Sequence, residues 1–193
     1  MKLKASFAAT CLALAALAPA AALAGAQAAD AKLLMSAVDA GRPQLLRTLV
    51  ADGVNINAVS DGDGSALILA VRQRKAAMVD ELLRLGANAN LAVPGDGSPL
   101  IMAARNGDLA LAQKLVKAGA LANQAVAGDE SPLIQAARAG SLPLVQFLVA
   151  SGADVNLGVP DERQRGAFLT PLNQAASAEV RSWLLANGAR KAQ

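Results

Sequence analysis

The sequence predicts an all-α solenoid of stacked helix-turn-helix units with protruding finger turns, and three observations carry that expectation. Gly62-Asp63-Gly64-Ser65-Ala66-Leu67 is echoed by Gly95-Asp96-Gly97-Ser98-Pro99-Leu100 and by Gly128-Asp129-Glu130-Ser131-Pro132-Leu133, at a constant step of about 33 residues. Gly53, Gly86, Gly119 and Gly152 recur at the same period in an independent register. Between these marks apolar residues fall at helical spacing, as in Leu109, Ala112, Leu115 and Val116, and again in Leu142, Val145, Leu148 and Val149. A period of this length, held in two registers, marks an array in which each unit buries its apolar face against its neighbours.

Taken from the N-terminus, residues 1–28 have the layout of a cleaved secretory signal. Lys2 and Lys4 form a positive start, Ala5 to Leu17 a largely apolar stretch, and Pro19 a break. Two small-residue cleavage patterns follow, Ala22-Leu23-Ala24 and Ala26-Gln27-Ala28. The stretch is short of the ~20 apolar residues needed to span a bilayer and is mostly Ala. Cys11 lies inside it and lacks the Leu three places earlier that a lipoprotein would show.

Cleavage would change the composition as well. The 193-residue chain carries 18 Lys+Arg against 15 Asp+Glu, a net +3, with one Cys and no His. Without residues 1–28 the net charge falls to +1 and the only Cys is gone. The sequence pI of about 9.4 is therefore no argument for a polyanionic partner. Three Phe and one Trp are too few for the stacking platform of a nucleic-acid binder. The mature chain reads as a thiol-free exported protein held together by packing. A bacterial periplasm is the natural compartment, with outright secretion left open.

Residues 29–193 form the repeat domain, with units at about 32–61, 62–94, 95–127, 128–160 and 167–190 and a charged insertion at 161–166. Ser65, Ser98, Ser131 and Thr170 stand where an N-cap hydroxyl accepts a free backbone N–H. Pro99, Pro132 and Pro171 follow at the first helical position, where no N–H is missed. An inner helix such as Leu100–Arg105 ends at Gly107, and small residues at Ala103-Ala104 and Ala136-Ala137 allow close approach between units. A second helix stops at Gly119 or Gly152, residues suited to the left-handed conformation after a helix. About ten polar and turn-forming residues then build the finger. The first unit, from Lys32, lacks the Ser-Pro start and reads as an N-terminal cap. Arg74 takes the place held elsewhere by Gly41, Gly107 and Gly140, which predicts a different turn in the second unit. Thr170 follows Ser131 by more than one period, the surplus falling at 161–166, and the last inter-helix turn is trimmed, as suits a C-terminal cap.

These motifs resemble the ankyrin repeat. The family's Thr-Pro-Leu-His, Ala-Ala, Gly, Val-x-x-Leu-Leu and Gly-Ala-Asp-x-Asn pattern is matched by Ser98-Pro99-Leu100, Ala103-Ala104, Gly107, Leu115-Val116 and Gly119-Ala120. It is matched again by Ser131-Pro132-Leu133, Ala136-Ala137, Gly140, Leu148-Val149 and Gly152-Ala153-Asp154-Val155-Asn156. The resemblance covers about residues 32–190, and the exported character points to a bacterial exported member. It implies a right-handed stack of helix pairs, a concave surface of fingers and inner helices, and a role in binding another protein. Ile68, Ile101, Ile134 and Asn173 replace the family's His, which normally ties repeats through backbone hydrogen bonds. Apolar packing is then expected to do more of that work.

The residue types argue against catalysis. With no His, and no Cys after cleavage, a nucleophile–base pair has no obvious members, and the recurrent Ser are engaged in capping. The Gly-Asp-Gly-Ser turns lack the Lys and the spacing of a phosphate loop. No enzyme, cofactor or metal is expected. Asp63, Asp96 and Asp129 recur at the repeat period along the fingers, and Asp-Gly favours tight turns, so turn formation is preferred to a cation or ligand ladder. Arg72, Arg105 and Arg138 form a second row at the end of the inner helices. Pairing with neighbouring acids is preferred for them, and a basic stripe on the concave face is the functional alternative. In the outer helices Thr48, Glu81 and Lys114 share one equivalent position, and Phe147 and Trp183 take it in the last two units. Either a partner-binding aromatic cluster, which Phe168 could join, or a cap on the core accounts for that switch.

The resulting expectation is a monomeric, non-catalytic periplasmic module. It would bind one protein partner through Arg72, Arg105, Arg138, Met102, Gln135, Asp63, Asp96 and Asp129, with Phe147 and Trp183 as a second surface. An immunity or inhibitor protein for a toxic enzyme, and a stress-protective accessory to a periplasmic enzyme, are the alternatives.

Overall fold

The computed structural model describes residues 20–190 apart from 61, 63, 127–129, 162, 164 and 165, and of 20–27 the backbone alone. The chain begins with α1 (Ala20–Asp39) and α2 (Pro43–Ala51), followed by a finger of β1 (Val59–Ser60) and β2 (Gly64–Ser65). Three helix pairs come next: α3 (Ala66–Arg72) with α4 (Ala76–Arg84), α5 (Pro99–Arg105) with α6 (Leu109–Lys117), and α7 (Pro132–Arg138) with α8 (Leu142–Ala150). The fourth finger consists of β3 (Val159–Pro160) and β4 (Phe168–Leu169), and α9 (Ala178–Ala186) closes the array. Inner helices α1, α3, α5 and α7 pack in sequence, and each of them lies on the outer helix that follows it.

Local chemistry sets these boundaries. The Oγ atoms of Ser65, Ser98 and Ser131 accept from the backbone N–H of Ile68, Ile101 and Ile134, each at 3.3 Å. Asp108 caps α6 and Ser177 caps α9 in the same way. Each such cap contributes about 1 kcal/mol to its helix. At the far end of α6, Gly119 adopts φ +91° and its N–H donates to Val116 O while Ala120 N–H donates to Leu115 O. That pair of bonds satisfies the last carbonyls of the helix.

The core is aliphatic and continuous through the stack. Ile68, Ile101 and Ile134, which replace the family's His, have no exposed surface, so apolar packing does occupy that position. Burying a side chain of this size is worth about 1.5–3 kcal/mol. Hydrogen bonding between units survives through a different residue. Asn90 Oδ1 accepts from Leu121 N–H (2.8 Å) while its Nδ2 donates to Gly119 O (2.8 Å). Asn123 repeats the clamp on Asp154 N–H and Gly152 O, and Asn156 on Arg190 N–H and Gly188 O. Asn57 accepts from Asn88 N–H. Each of these Asn ties a finger root to the end of the next outer helix.

Two expectations need correction. The turn after α3 has the same form as its counterparts, because Arg74 adopts φ +54° where Gly41, Gly107 and Gly140 adopt +61° to +70°. A non-Gly residue there carries a steric cost of order 1–2 kcal/mol, offset in part by a 2.6 Å bond from its guanidinium to Asn106 O. The fifth unit has no inner α-helix: residues 171–174 form turns only. There Thr170 Oγ1 accepts from Asn173 N–H and Asn173 Oδ1 from Thr170 N–H, a reciprocal cap with no helix behind it. The first inner helix, α1, runs from Ala20 to Asp39. Residues 1–19 of the expected leader lie outside the described residues.

The charged insertion falls within the fourth finger. Val159 pairs with Leu169 and Pro160 with Phe168, while Asp161 N–H donates to Ala167 O and the Asp161 carboxylate accepts from Arg163 N–H. The β3–β4 pairing thus brackets the insertion on both sides.

Candidate functional site

The inner helices end in the Arg row, and the fingers overhang it. Arg72 is joined by an ion pair to Asp96 on the next finger (2.7 Å), where the Asp96 side chain is 15% exposed. Asp96 also packs against the neighbouring finger, since a Cβ placed on Gly64 would meet its carboxylate at 3.3 Å. The two sequence rows thus interlock, and Asp96 is at once a turn residue and an anchor for Arg72. Arg138 pairs instead with Glu130 of its own unit (2.5 Å) and donates to Gln174 Oε1 (2.6 Å). Glu130 stands at the repeat position of Gly64 and Gly97, which explains why the partner comes from a different place. Arg105 is exposed between them and is also engaged. Asp63 and Asp129 lie outside the described residues.

Two other expected contact residues are largely withdrawn from solvent. Met102 and Gln135 are 5% and 6% exposed, each buried within an inner helix. They shape the floor between the Arg residues and offer a partner little area of their own. Exposed Arg105 and Arg138 and partly exposed Arg72 are what this face presents among the described residues.

On the outer helices a second set of charges was not anticipated. Glu81 is buried, and both its oxygens are bound: Arg47 Nε donates to Oε1 (2.8 Å) and Nη2 to Oε2 (3.0 Å), while Arg84 Nη2 donates to Oε1 (2.5 Å). Hydrogen bonds from Arg47 and then Arg84 hold the Glu81 carboxyl down at about 2 against an ordinary 4.5, and both guanidinium groups are raised in turn. A buried carboxylate is tolerated because it is paired in this way. Lys114 Nζ bridges to Asp80 at 2.6 Å across an open depression of about 290 Å³ lined also by Leu83, Lys117 and Ala118. The signal available in the sequence was the offset, one position longer than the repeat, that joins Arg47 to Glu81 and Asp80 to Lys114.

Phe147 and Trp183 occupy the equivalent positions on α8 and α9, half-buried against the core. Phe168 lies apart on β4 and is 49% exposed. The aromatic residues are thus two packing side chains and one on a finger. Among the described residues no group of three or more His, Cys, Asp or Glu is placed to hold a metal ion, and no helix is long and apolar enough to cross a membrane.

Comparison with known families agrees with this architecture. The family model described as ankyrin repeats (3 copies) matches residues 34–125, 67–159 and 100–193, successive matches being shifted by one repeat. No curated protein matches the chain.

Proposed function

The chain belongs to the ankyrin-repeat family, whose members are generally protein–protein interaction modules, and from that premise we propose that it is an exported, non-catalytic module that binds one protein partner through its finger-and-inner-helix face. The observation that carries this reading is the Arg row itself. Arg72, Arg105 and Arg138 stand one repeat apart on a single face, the latter two exposed, over a floor of buried Met102 and Gln135. Spaced guanidinium groups on a rigid frame suit an acidic or carboxylate-rich partner surface, and Arg is the cation best adapted to bidentate contact with carboxylates. The pairing of Arg72 with Asp96 and of Arg138 with Glu130 also holds these side chains in place, which lowers the ordering cost on binding.

Export is supported by the charged start, apolar stretch and small-residue patterns of residues 1–28, and the periplasm is the compartment proposed. The test is affinity capture with cross-linking from a periplasmic extract, followed by mass spectrometry. Wild type and Lys117→Glu, a change on the outer face, are expected to recover the same partner, and Arg138→Glu to lose it. Recovery of that partner by Arg138→Glu with loss by Lys117→Glu would overturn the assignment of the face.

A further inference from the structure

We infer that Asn187 is a modification site, where the chain deamidates through attack by its own backbone, and that the fold holds the same dipeptide inert at Asn106. Asn-Gly occurs at Asn106-Gly107 and again at Asn187-Gly188. In each, the glycine nitrogen can close on the side-chain carbonyl carbon of the asparagine, and no Cβ on the glycine obstructs the approach. The local frames match as well. Each asparagine is the C-cap of a helix, α5 or α9, and each glycine N–H donates to the carbonyl three residues earlier. What differs is the surroundings of the turn.

Asn106 is partly buried in the middle of the stack. Its Nδ2 donates to Val71 O at 3.1 Å, and its carbonyl accepts from Arg74 Nη2 at 2.6 Å. On the other side, a Cβ placed on Gly107 would meet the Ala139 side chain of the next unit at 3.9 Å. Moving the reacting atoms together there disturbs contacts with both neighbouring units. Asn187 and Gly188 are exposed at the end of the last helix. The Asn187 Nδ2 donates to Trp183 O of its own helix at 2.8 Å, and α9 buries Val180 and Leu184 alone. Opening a terminal turn costs far less than opening the interior of an array. Attack geometry is therefore reached at Asn187 while the Asn106 turn stays closed.

The reaction needs only water and its hydroxide. The Gly188 nitrogen, having given up its proton to solvent, forms a bond to Asn187 Cγ. The Cγ–Nδ2 bond breaks and Nδ2 leaves as ammonia, which closes a five-membered imide. Water then opens the ring, placing its hydroxyl on one imide carbonyl carbon and a proton on the ring nitrogen. Opening at Cγ gives aspartate, and opening at the backbone carbonyl gives an isoaspartyl link, longer by one carbon. Either product removes the amide donor to Trp183 O and sets a carboxylate at the C-terminal end of α9, where negative charge is disfavoured. The isoaspartyl link also displaces Gly188 O and Arg190 N–H, the two groups that Asn156 clamps. The last clamp and Trp183 loosen together.

The experiment incubates the full chain in mildly alkaline buffer made with heavy-oxygen water, folded or in urea, followed by brief trypsin digestion in ordinary water. Cleavage after Arg and Lys places the two sites on fragments 106–114 and 182–190. In the folded chain, label is expected in fragment 182–190 about tenfold or more faster than in 106–114, and the two rates should converge in urea. Asn187→Gln, which would have to close a larger ring, should leave its fragment unlabelled with an unchanged thermal melt. Trp183 is the only tryptophan, so its emission reports on the last unit. That emission should move to longer wavelength as the wild type converts and stay constant in Asn187→Gln. Equal labelling of the two fragments in the folded chain, or labelling of 182–190 only in urea, overturns the site. Conversion with no change in Trp183 emission overturns its effect on the last unit.

Discussion

Between α2 and α6 the outer helices meet through ion pairs, with Arg47 on Glu81 and Lys114 on Asp80, whereas from α8 to α9 Phe147 and Trp183 take the same repeat position and pack on the core. The frame is the same in both halves, since each outer helix ends in the same left-handed glycine turn and successive finger roots carry the same Asn clamp. The difference teaches that the seam between outer helices is chemically permissive. Its position lies at the rim of the core, so either a charge whose partner sits on the adjacent repeat or an aromatic ring can fill it. What differs is the response to solvent: Coulombic contacts weaken with salt and acid, and apolar ones do not.

The largest expected effect comes from breaking the apolar half. Trp183→Ala removes a half-buried indole and should cost about 2–3 kcal/mol, read as a lower denaturation midpoint whose shift is the same at low and high salt. The Asn clamps run through both halves and sharpen the comparison by not following it. Asn90→Ala and Asn123→Ala each remove two hydrogen bonds and should cost a similar amount, about 1–2 kcal/mol, measured by urea denaturation. If the Asn90 variant alone were destabilised, the two halves would differ in more than their outer seam.

Glu81 gives the charged half its pH signature. Its folded value of about 2 lies below the ordinary 4.5, so its contribution is complete above about pH 4.5 and is lost as pH falls toward 2. Glu81→Gln should lower the melting temperature by several degrees near neutrality, and the gap to wild type should close on acidification. A gap that stays constant from neutral pH down to the folded value would count against the arginine clamp. The smallest effect belongs to Lys114→Ala. That pair is exposed, 39% and 54% at its two ends, and should contribute less than about 0.5 kcal/mol, vanishing in salt.

How far the sequence disclosed this molecule follows from where its information lies. The helix pairs, the Ser caps and the Gly turns were legible because each depends on residue types at fixed short offsets, repeated at a common period. The Arg74 turn was misread because the composition rule for positive φ is a preference, and a bond to Asn106 O helps to hold the exception. The Asn residues at 57, 90, 123 and 156 recur at the repeat period but were not singled out, because their role needs the neighbouring repeat in three dimensions. Burial of Met102 and Gln135 was hidden for the same reason: inner-helix residues near the finger face are distinguished by the path of the adjacent helix and not by type. The buried Glu81 depends on two arginines from two helices, only one of which is near it in sequence.

The central claim is that the face built from fingers and inner helices is the one that meets a protein partner. Its most direct measurement places a photo-crosslinking residue in turn at position 105, on that face, and at position 117, on the outer helices, in the full chain expressed in living cells. A single discrete adduct from position 105 and none from position 117 is the predicted result. An adduct from position 117 with none from position 105 would contradict it.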